Sequence, residues 1–176
     1  ALAHYLPPED ASLVARLKSA GAVVVGKSNL SELAGDPQCW SPLFGPTRNP
    51  WNPTLTPGGS SGGSAAAIAM GFSLLELGSD IGGSIRIPAA YCGVAGFKAS
   101  ENRLPRSGHI PHLPGTERSV RHLLSFGLLA RQVADLQLAL PRLAGPDGLD
   151  SETPPLPWRS LPVLNRPLRI AWWDDF

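Results

Sequence analysis

The sequence predicts an α/β fold, because segments with helical and strand patterns alternate along the chain. Of the 176 residues, 43% are hydrophobic and 16% are charged, a composition that supports a buried core. The 19 glycines and 19 prolines exceed the usual share and predict many tight turns. The formal net charge is only +1, so we expect neither nucleic acid nor an anionic membrane as a partner.

The first predicted elements are a helix and a strand. Residues 10–20 have an amphipathic helical pattern, with Asp10 or Ser12 as the N-cap and Gly21 as the stop. Residues 22–25 are an alanine and three valines, which are apolar on both faces of an extended chain. This pattern predicts a short buried strand of a parallel sheet.

The rest of the chain alternates loops with short elements. Residues 35–64 are predicted as loop because six prolines interrupt any periodicity, and residues 145–167, with eight Gly or Pro in 23, as a surface connection. Ser64 is the predicted N-cap of the helix that follows, and Gly71 its end. The remaining predicted elements are a brief helix at 29–34 capped by Asn29 and Glu32, a helix at 65–70, a strand at 74–77, a short helix starting at Pro88 and closed by Gly93, a helix at 133–140 and a strand at 168–172.

The cysteines and the apolar runs exclude several classes of protein. Cys39 and Cys92 are too few for a disulfide framework and have no metal-ligand spacing, so we expect buried thiols in a reducing, cytoplasmic compartment. The longest apolar run, 65–72, is much shorter than a membrane span. We therefore expect no membrane association, no metal and no organic cofactor.

Residues 21–28, GAVVVGKS, match the phosphate-loop pattern G-x-x-x-x-G-K-[ST]. That loop requires a strand before its first glycine, whereas a helix is predicted before Gly21. The three valines also resist the left-handed turns that cradle a phosphate. The match therefore favours a strand and a turn, and a nucleotide-binding protein is the least favoured alternative.

Two glycine-serine strings carry the chemical signal. The string PGGSSGGS at 57–64 runs into a predicted helix, whose N-terminus offers free N–H donors. The string LGSDIGGSIR at 77–86 places Ser84 after two glycines, whose amides can close on a developing negative charge. A hydroxyl nucleophile beside such a hole is the minimum required for acyl transfer, and tight structural turns are the alternative interpretation.

Together with RIPAAYCG and GFK, which follow directly, these strings resemble the signature of the amidase signature family over about 57–98. Other segments are also similar to members of this family: 26–34, 45–50, 108–111, 127–131 and 135–136. The resemblance implies a twisted mixed β-sheet core with helices on both faces. Residues 1–176 would form a truncated part of that domain, so the remainder of the domain or another chain would be needed to complete the fold.

The resemblance also implies a Ser-cisSer-Lys triad. Its nucleophile falls on Ser84, and its bridging serine falls on Ser60, with a cis peptide bond between Gly59 and Ser60. The oxyanion hole would be formed by the backbone N–H groups of Ile81, Gly82, Gly83 and Ser84. The residues expected to support the loop are Asp80, Arg86 and Ser61.

The lysine of the triad belongs to a motif that should lie upstream of residue 1. We therefore assign the base to none of Lys18, Lys27 and Lys98 and expect the catalytic lysine outside this chain. Without it, the 176 residues alone should be inactive.

The function implied by the resemblance is hydrolysis of the C–N bond of a small carboxylic amide through a serine acyl-enzyme. One alternative is the glutaminase subunit of a tRNA-dependent amidotransferase, which would add protein and tRNA partners. The other alternative is a catalytically silent fragment that acts only in assembly.

Overall fold

The computed structural model describes residues 6–109 and 122–156, together with Trp158, Pro167 and Arg169. Its helices are α1 (Ser12–Ser19), α2 (Gly62–Met70), α3 (Arg86–Cys92) and α4 (Val133–Leu143), with a 3-10 turn at Glu32–Ala34. Its strands are β1 (Trp40–Ser41), β2 (Gly45–Pro46), β3 (Leu75–Asp80), β4 (Ala95–Lys98) and β5 (Ser125–Ala130). No helix in this described part is long and apolar enough to cross a membrane.

The main sheet has three strands in the order β3-β5-β4. Both β3 and β4 run antiparallel to the central strand β5, and all six residues of β5 are buried. Neither β4 nor β5 is predicted from the sequence patterns. Gly127 interrupts the apolar pattern of β5, and only the close approach of β4 explains a glycine there, since a Cβ would lie 1.8 Å from the backbone oxygen of Phe97.

Helices pack on both faces of this sheet, as the predicted α/β architecture requires. Alternate side chains of β5 point to opposite faces, so that Leu128 and Leu129 enter different cores. The core on the α1 and α4 face consists of Leu13, Ala99, Leu104, Phe126, Leu128, Ala130, Leu136, Ala139, Leu140 and Leu143. The core on the α2 and α3 face consists of Ala65, Ile68, Ile85, Ala89, Cys92 and Leu129.

Helix α1 confirms the predicted helix at 10–20, but its predicted side-chain cap is wrong. The N-cap is Ala11, which provides no side-chain hydrogen bond. Asp10 pairs instead with Lys18 at 2.6 Å, and Ser12 donates a hydrogen bond to Asp147 at 2.6 Å. The predicted stop is confirmed: Gly21 has φ +90°, and its N–H donates back to the carbonyl of Lys18.

The predicted buried strand at 22–25 is wrong. These residues form no strand, and the side chains of Val23 and Val25 are 83% and 79% exposed. A buried strand requires neighbours on its edges and on both faces. Among the described strands none pairs with this segment, so its valines lie at the surface.

The other predicted helices lie near their predicted positions, but their first residues and caps differ from the prediction. A 3-10 turn replaces the brief helix at 29–34, because the Asn29 side chain donates to Gly45 and Thr47 instead of capping a helix. Helix α2 begins before Ser64, whose side chain does not cap it. Pro88 is the third residue of α3 and not the first.

The helices end at the predicted glycines, and most loop predictions are confirmed. Gly71 and Gly93 adopt left-handed conformations directly after α2 and α3. The predicted helix at 133–140 extends to Leu143, and the predicted strand at 74–77 lies mainly within β3. The predicted loop at 35–64 also contains the β1–β2 hairpin and the start of α2. The described part of the 145–167 connection has neither helix nor strand, and the strand prediction at 168–172 falls outside the described residues except for Arg169.

Candidate active site

Ser84 lies on a tight turn between β3 and α3. Strand β3 ends at Asp80, and α3 begins at Arg86, so the turn is only a few residues long. Gly83 has φ +122°, a conformation that side-chain-bearing residues rarely adopt, and a Cβ there would lie 2.6 Å from Ile87 Cδ1. The glycine before Ser84 therefore has a steric reason, and the serine hydroxyl is held on a partly exposed turn.

The Asp80 carboxylate holds this turn together by accepting hydrogen bonds. It is fully buried and accepts hydrogen bonds from the backbone N–H groups of Gly83, Ile85 and Arg86 at 2.9–3.2 Å. It also accepts two bonds from the Arg86 guanidinium, at 3.1 and 2.9 Å. Burial opposes ionisation of this carboxyl, but the hydrogen bonds from Arg86 and the three N–H groups outweigh it and lower the pKa of Asp80 to about 2. Asp80 and Arg86 therefore hold the turn together, and their support of a catalytic loop stays a prediction.

The backbone N–H groups of the turn divide into two sets. The N–H of Gly83 donates to Asp80 Oδ1 at 2.9 Å, so this predicted oxyanion donor is already used in the structure. The N–H groups of Ile81, Gly82 and Ser84 donate to no other residue that the structure describes. Three of the four N–H groups named for the oxyanion hole are thus unused in the structure, and the hole itself stays a prediction.

Ser60 lies in the other glycine-serine string, at 57–64. Its peptide bond with Gly59 is cis, as the resemblance implies. The Ser60 side chain is 1% exposed, and its hydroxyl has no hydrogen-bond partner within the described part of the chain. The hydroxyls of Ser60 and Ser84 are consequently not hydrogen-bonded to each other in this structure. Ser60 retains its full capacity to donate and to accept.

Ser61 joins the two strings. Its backbone N–H donates to the carbonyl of Ser84 at 3.1 Å, and Ser61 is also the N-cap residue of α2. The N-terminus of α2 is therefore bonded directly to the turn that carries Ser84. The supporting role expected of Ser61 stays a prediction, to which this backbone contact gives a geometric basis.

None of the three lysines hydrogen-bonds to either serine, as judged over the described residues. Lys18 pairs with Asp10, and Lys98 Nζ donates to Ser125 Oγ at 3.2 Å. Lys27 is exposed and makes no hydrogen bond to a described residue. No lysine among the described residues is thus hydrogen-bonded to Ser60 or Ser84.

The comparisons with known proteins identify the family. The family model described as Amidase matches residues 1–176. The chain belongs to the amidase family. A glutamyl-tRNA(Gln) amidotransferase subunit of Thermus thermophilus is 45% identical over 167 residues, which are 95% of this chain and 34% of that relative.

Solved amidase structures share the fold. The peptide amidase PAM, solved with the competitive inhibitor chymostatin, superposes with a TM-score of 0.76 at 40% identity, over 87% of this chain and 31% of the other. The 6-aminohexanoate cyclic dimer hydrolase superposes with a TM-score of 0.76 at 36% identity, over 93% and 32%. The amidase chain therefore spans about a third of the length of the relatives it matches.

The phosphate-loop match does not form a nucleotide site in this amidase chain. Helix α1 and not a strand precedes Gly21, and only a 3-10 turn follows Ser28. A phosphate loop needs a strand before it and a helix N-terminus after it. The geometry therefore agrees with the sequence argument against nucleotide binding.

Sequence reasoning missed a hydrogen-bonded group beside the site. Ser28 Oγ lies 2.8 Å from Ser64 Oγ and donates to Glu76 Oε2 at 3.1 Å. The three residues are far apart along the chain, and the sequence marks Ser28 only within the phosphate-loop match and the family-like segment 26–34. A predicted contact between residues 28 and 76 would have been the signal that could reveal the group.

The two thiols are buried as expected. Cys39 and Cys92 are both fully buried and free. Burial, with a contribution from Cys39, raises the pKa of the Cys92 thiol to about 11, which makes it a weak nucleophile. Over the described residues, no group of three or more His, Cys, Asp or Glu side chains could hold a metal ion.

Proposed function

We propose that this chain carries the nucleophile of an amidase that hydrolyses the C–N bond of a small carboxylic amide through an acyl-enzyme on Ser84. The observation that supports this most strongly is the turn itself. It presents a hydroxyl next to three backbone N–H groups that have no other described partner, those of Ile81, Gly82 and Ser84. This combination of nucleophile and preorganised donors suits acyl transfer.

In the first step, Ser84 Oγ attacks the carbonyl carbon of the amide. The carbonyl oxygen becomes an oxyanion, which the N–H groups of Ile81, Gly82 and Ser84 stabilise. Asp80 holds the turn in shape through its bonds to Gly83 and Ile85, so the donors need little reorganisation as the charge develops.

Ser60 relays the proton that leaves Ser84. The relay is proposed to end at a neutral lysine supplied from outside these 176 residues, and Ser60 Oγ is buried with its hydrogen bonds still unused, as a relay would need. When the intermediate collapses, the C–N bond breaks and the proton returns to the departing amine. A water molecule then attacks the acyl-enzyme and releases the carboxylic acid with the help of the same base.

The test is covalent labelling with a fluorophosphonate, which reacts with activated serines. In an enzyme that contains the whole amidase domain, wild type should label on Ser84, and Ser84→Ala should abolish both labelling and amide hydrolysis, lowering kcat by about 10³–10⁶-fold. Lys27→Ala serves as the control and should label normally. Residues 1–176 alone should not label. The proposal is wrong if Ser84→Ala turns over amides like wild type.

A glutaminase subunit of a tRNA-dependent amidotransferase is the second candidate. It is favoured by the 45% identity to the glutamyl-tRNA(Gln) amidotransferase subunit of Thermus thermophilus. The same serine would then hydrolyse the side-chain amide of glutamine. Ammonia release from glutamine that depends on added partner proteins and tRNA would select this candidate, and hydrolysis of simple amides by the enzyme alone would select the first.

A further inference from the structure

We propose that Ser28 and Glu76 are positioning residues, which hold the first turn of α2 and thereby keep Ser60 in place beside the Ser84 turn. The inference rests on the proposed function, because it assigns a role in the same proton relay. This positioning role also gives a reason for the hydroxyl of Ser28, the last residue of the phosphate-loop match, that requires no nucleotide.

The hydrogen bonds of this group have a definite direction. Ser28 Oγ is 3.1 Å from Glu76 Oε2 and 2.8 Å from Ser64 Oγ. An ionised carboxylate can only accept, so Ser28 donates its single proton to Glu76. Ser64 must therefore donate to Ser28. The result is an ordered chain from Ser64 through Ser28 to the carboxylate, with one arrangement of protons.

One end of this series of hydrogen bonds lies at Ser64, near the beginning of α2. Ser64 is 4% exposed and lies four residues after Ser60, within the first turn of the helix. The segment around Ser28 presses directly on this turn, since a Cβ on Gly63 would lie 2.3 Å from the Asn29 carbonyl oxygen. There is thus no room for α2 to shift towards that segment.

The other end of the chain reaches the strand that leads to the nucleophile. Glu76 lies on β3, four residues before Asp80, whose carboxylate organises the Ser84 turn. These hydrogen bonds therefore connect α2, which follows Ser60, to β3, which precedes Ser84. They act together with the backbone hydrogen bond from Ser61 to Ser84 at 3.1 Å. Because a displacement of about 1 Å can reduce a rate by 10²-fold, a hydroxyl that fixes this spacing affects turnover without touching substrate.

The experiment measures fluorophosphonate labelling in an enzyme that contains the whole amidase domain. The maximal labelling rate and the half-saturating probe concentration are determined separately, and the labelled fraction at the end point gives the amount of folded enzyme. For Ser28→Ala we expect the maximal rate to fall about tenfold, with the half-saturating concentration changed less than about twofold. Ser28→Thr restores the hydroxyl and should bring the rate within about threefold of wild type.

Two further variants provide a control and a second test of the positioning role. Ser100→Ala, at an exposed serine, should label at the wild-type rate. Glu76→Met keeps a similar side-chain length but removes the acceptor of the Ser28 proton, so it should lower the maximal rate, and it supplies the result if Ser28→Ala does not fold. Equal rates per folded site for Ser28→Ala, Glu76→Met and Ser100→Ala would overturn the positioning role alone. Labelling that persists in Ser84→Ala would instead overturn the proposed function.

Discussion

Replacing Asp80 with asparagine should destabilise the Ser84 turn more than any exposed Asp→Asn change. Asp80 is fully buried and accepts five hydrogen bonds, three from backbone N–H groups and two from Arg86. Both carboxylate oxygens face at least two donors, so the NH₂ group of asparagine would meet donors whichever way it turned. Loss of a buried charged acceptor with such partners costs about 3 kcal/mol.

The assay is urea denaturation of the amidase domain. With an m-value of about 2 kcal/mol/M, the midpoint of Asp80→Asn should fall by about 1.5 M. The matched control is Asp135→Asn, because Asp135 is exposed in the first turn of α4 and its loss should cost less than about 1 kcal/mol. Equal midpoints for the two variants would refute the reasoning.

The same pair of proteins has a defined pH dependence. The pKa of Asp80 is lowered from 3.8 to about 2 in the folded protein, so its ionised form stabilises the fold above about pH 4, and this contribution is lost as the pH falls through about 2. The asparagine variant lacks this titration. The difference in unfolding free energy between wild type and Asp80→Asn should therefore shrink below about pH 4, and a constant difference down to about pH 2.5 would contradict the assignment.

Three other predictions concern the packing. Arg16→Met should lower the unfolding free energy by about 2 kcal/mol in urea denaturation, because the guanidinium donates to four backbone carbonyls at and after the end of α4. Gly127→Ala should cost about 3 kcal/mol or more in the same assay, because its Cβ would lie 1.8 Å from a backbone oxygen of β4, whereas Gly26→Ala has open space and should change stability by less than about 0.5 kcal/mol. Cys39 and Cys92 are buried and the pKa of Cys92 is raised to about 11, so iodoacetamide at about pH 8 should alkylate both only after unfolding, as measured by mass spectrometry.

Each of these results has a clear contrary outcome. An unchanged urea midpoint for Arg16→Met would mean that the carbonyl contacts contribute nothing to stability. Similar midpoints for the two glycine variants would contradict the close approach of β4 to β5. Rapid alkylation of Cys92 in the native protein would show that the thiol is accessible.

Local patterns predicted the helices because the information lies within a few residues. The apolar spacing of α1 and α4 and the glycines that end α1, α2 and α3 are visible in the sequence, and the structure has these features. Side-chain caps were less predictable. Asp10 could cap a helix but pairs with Lys18 near the end of the same helix, and Asn29 bonds instead to Thr47, which only the folded loop brings near.

The strands depended on long-range contacts and were predicted poorly. The valines at 22–25 have strong strand propensity, yet no described strand pairs with them. Strand β5 was missed although it is the most buried strand, since its central glycine is explained only by the approach of β4.

The candidate site was likewise predictable only in part. The Ser84 turn and the cis bond before Ser60 follow from the glycine-serine strings and the family resemblance. The use of the Gly83 N–H by Asp80, and the contact of Ser28 with Glu76, depend on distances that the sequence does not contain.

The most direct test of the account is to trap the acyl-enzyme. An enzyme containing the whole amidase domain is mixed with an amide substrate and quenched in acid within the first turnover, and its peptides are mapped by mass spectrometry. We expect the acyl group on the peptide that contains Ser84, with one equivalent of amine released, and we expect neither with Ser84→Ala. An acyl group on any other residue, or steady turnover by Ser84→Ala, would contradict this expectation.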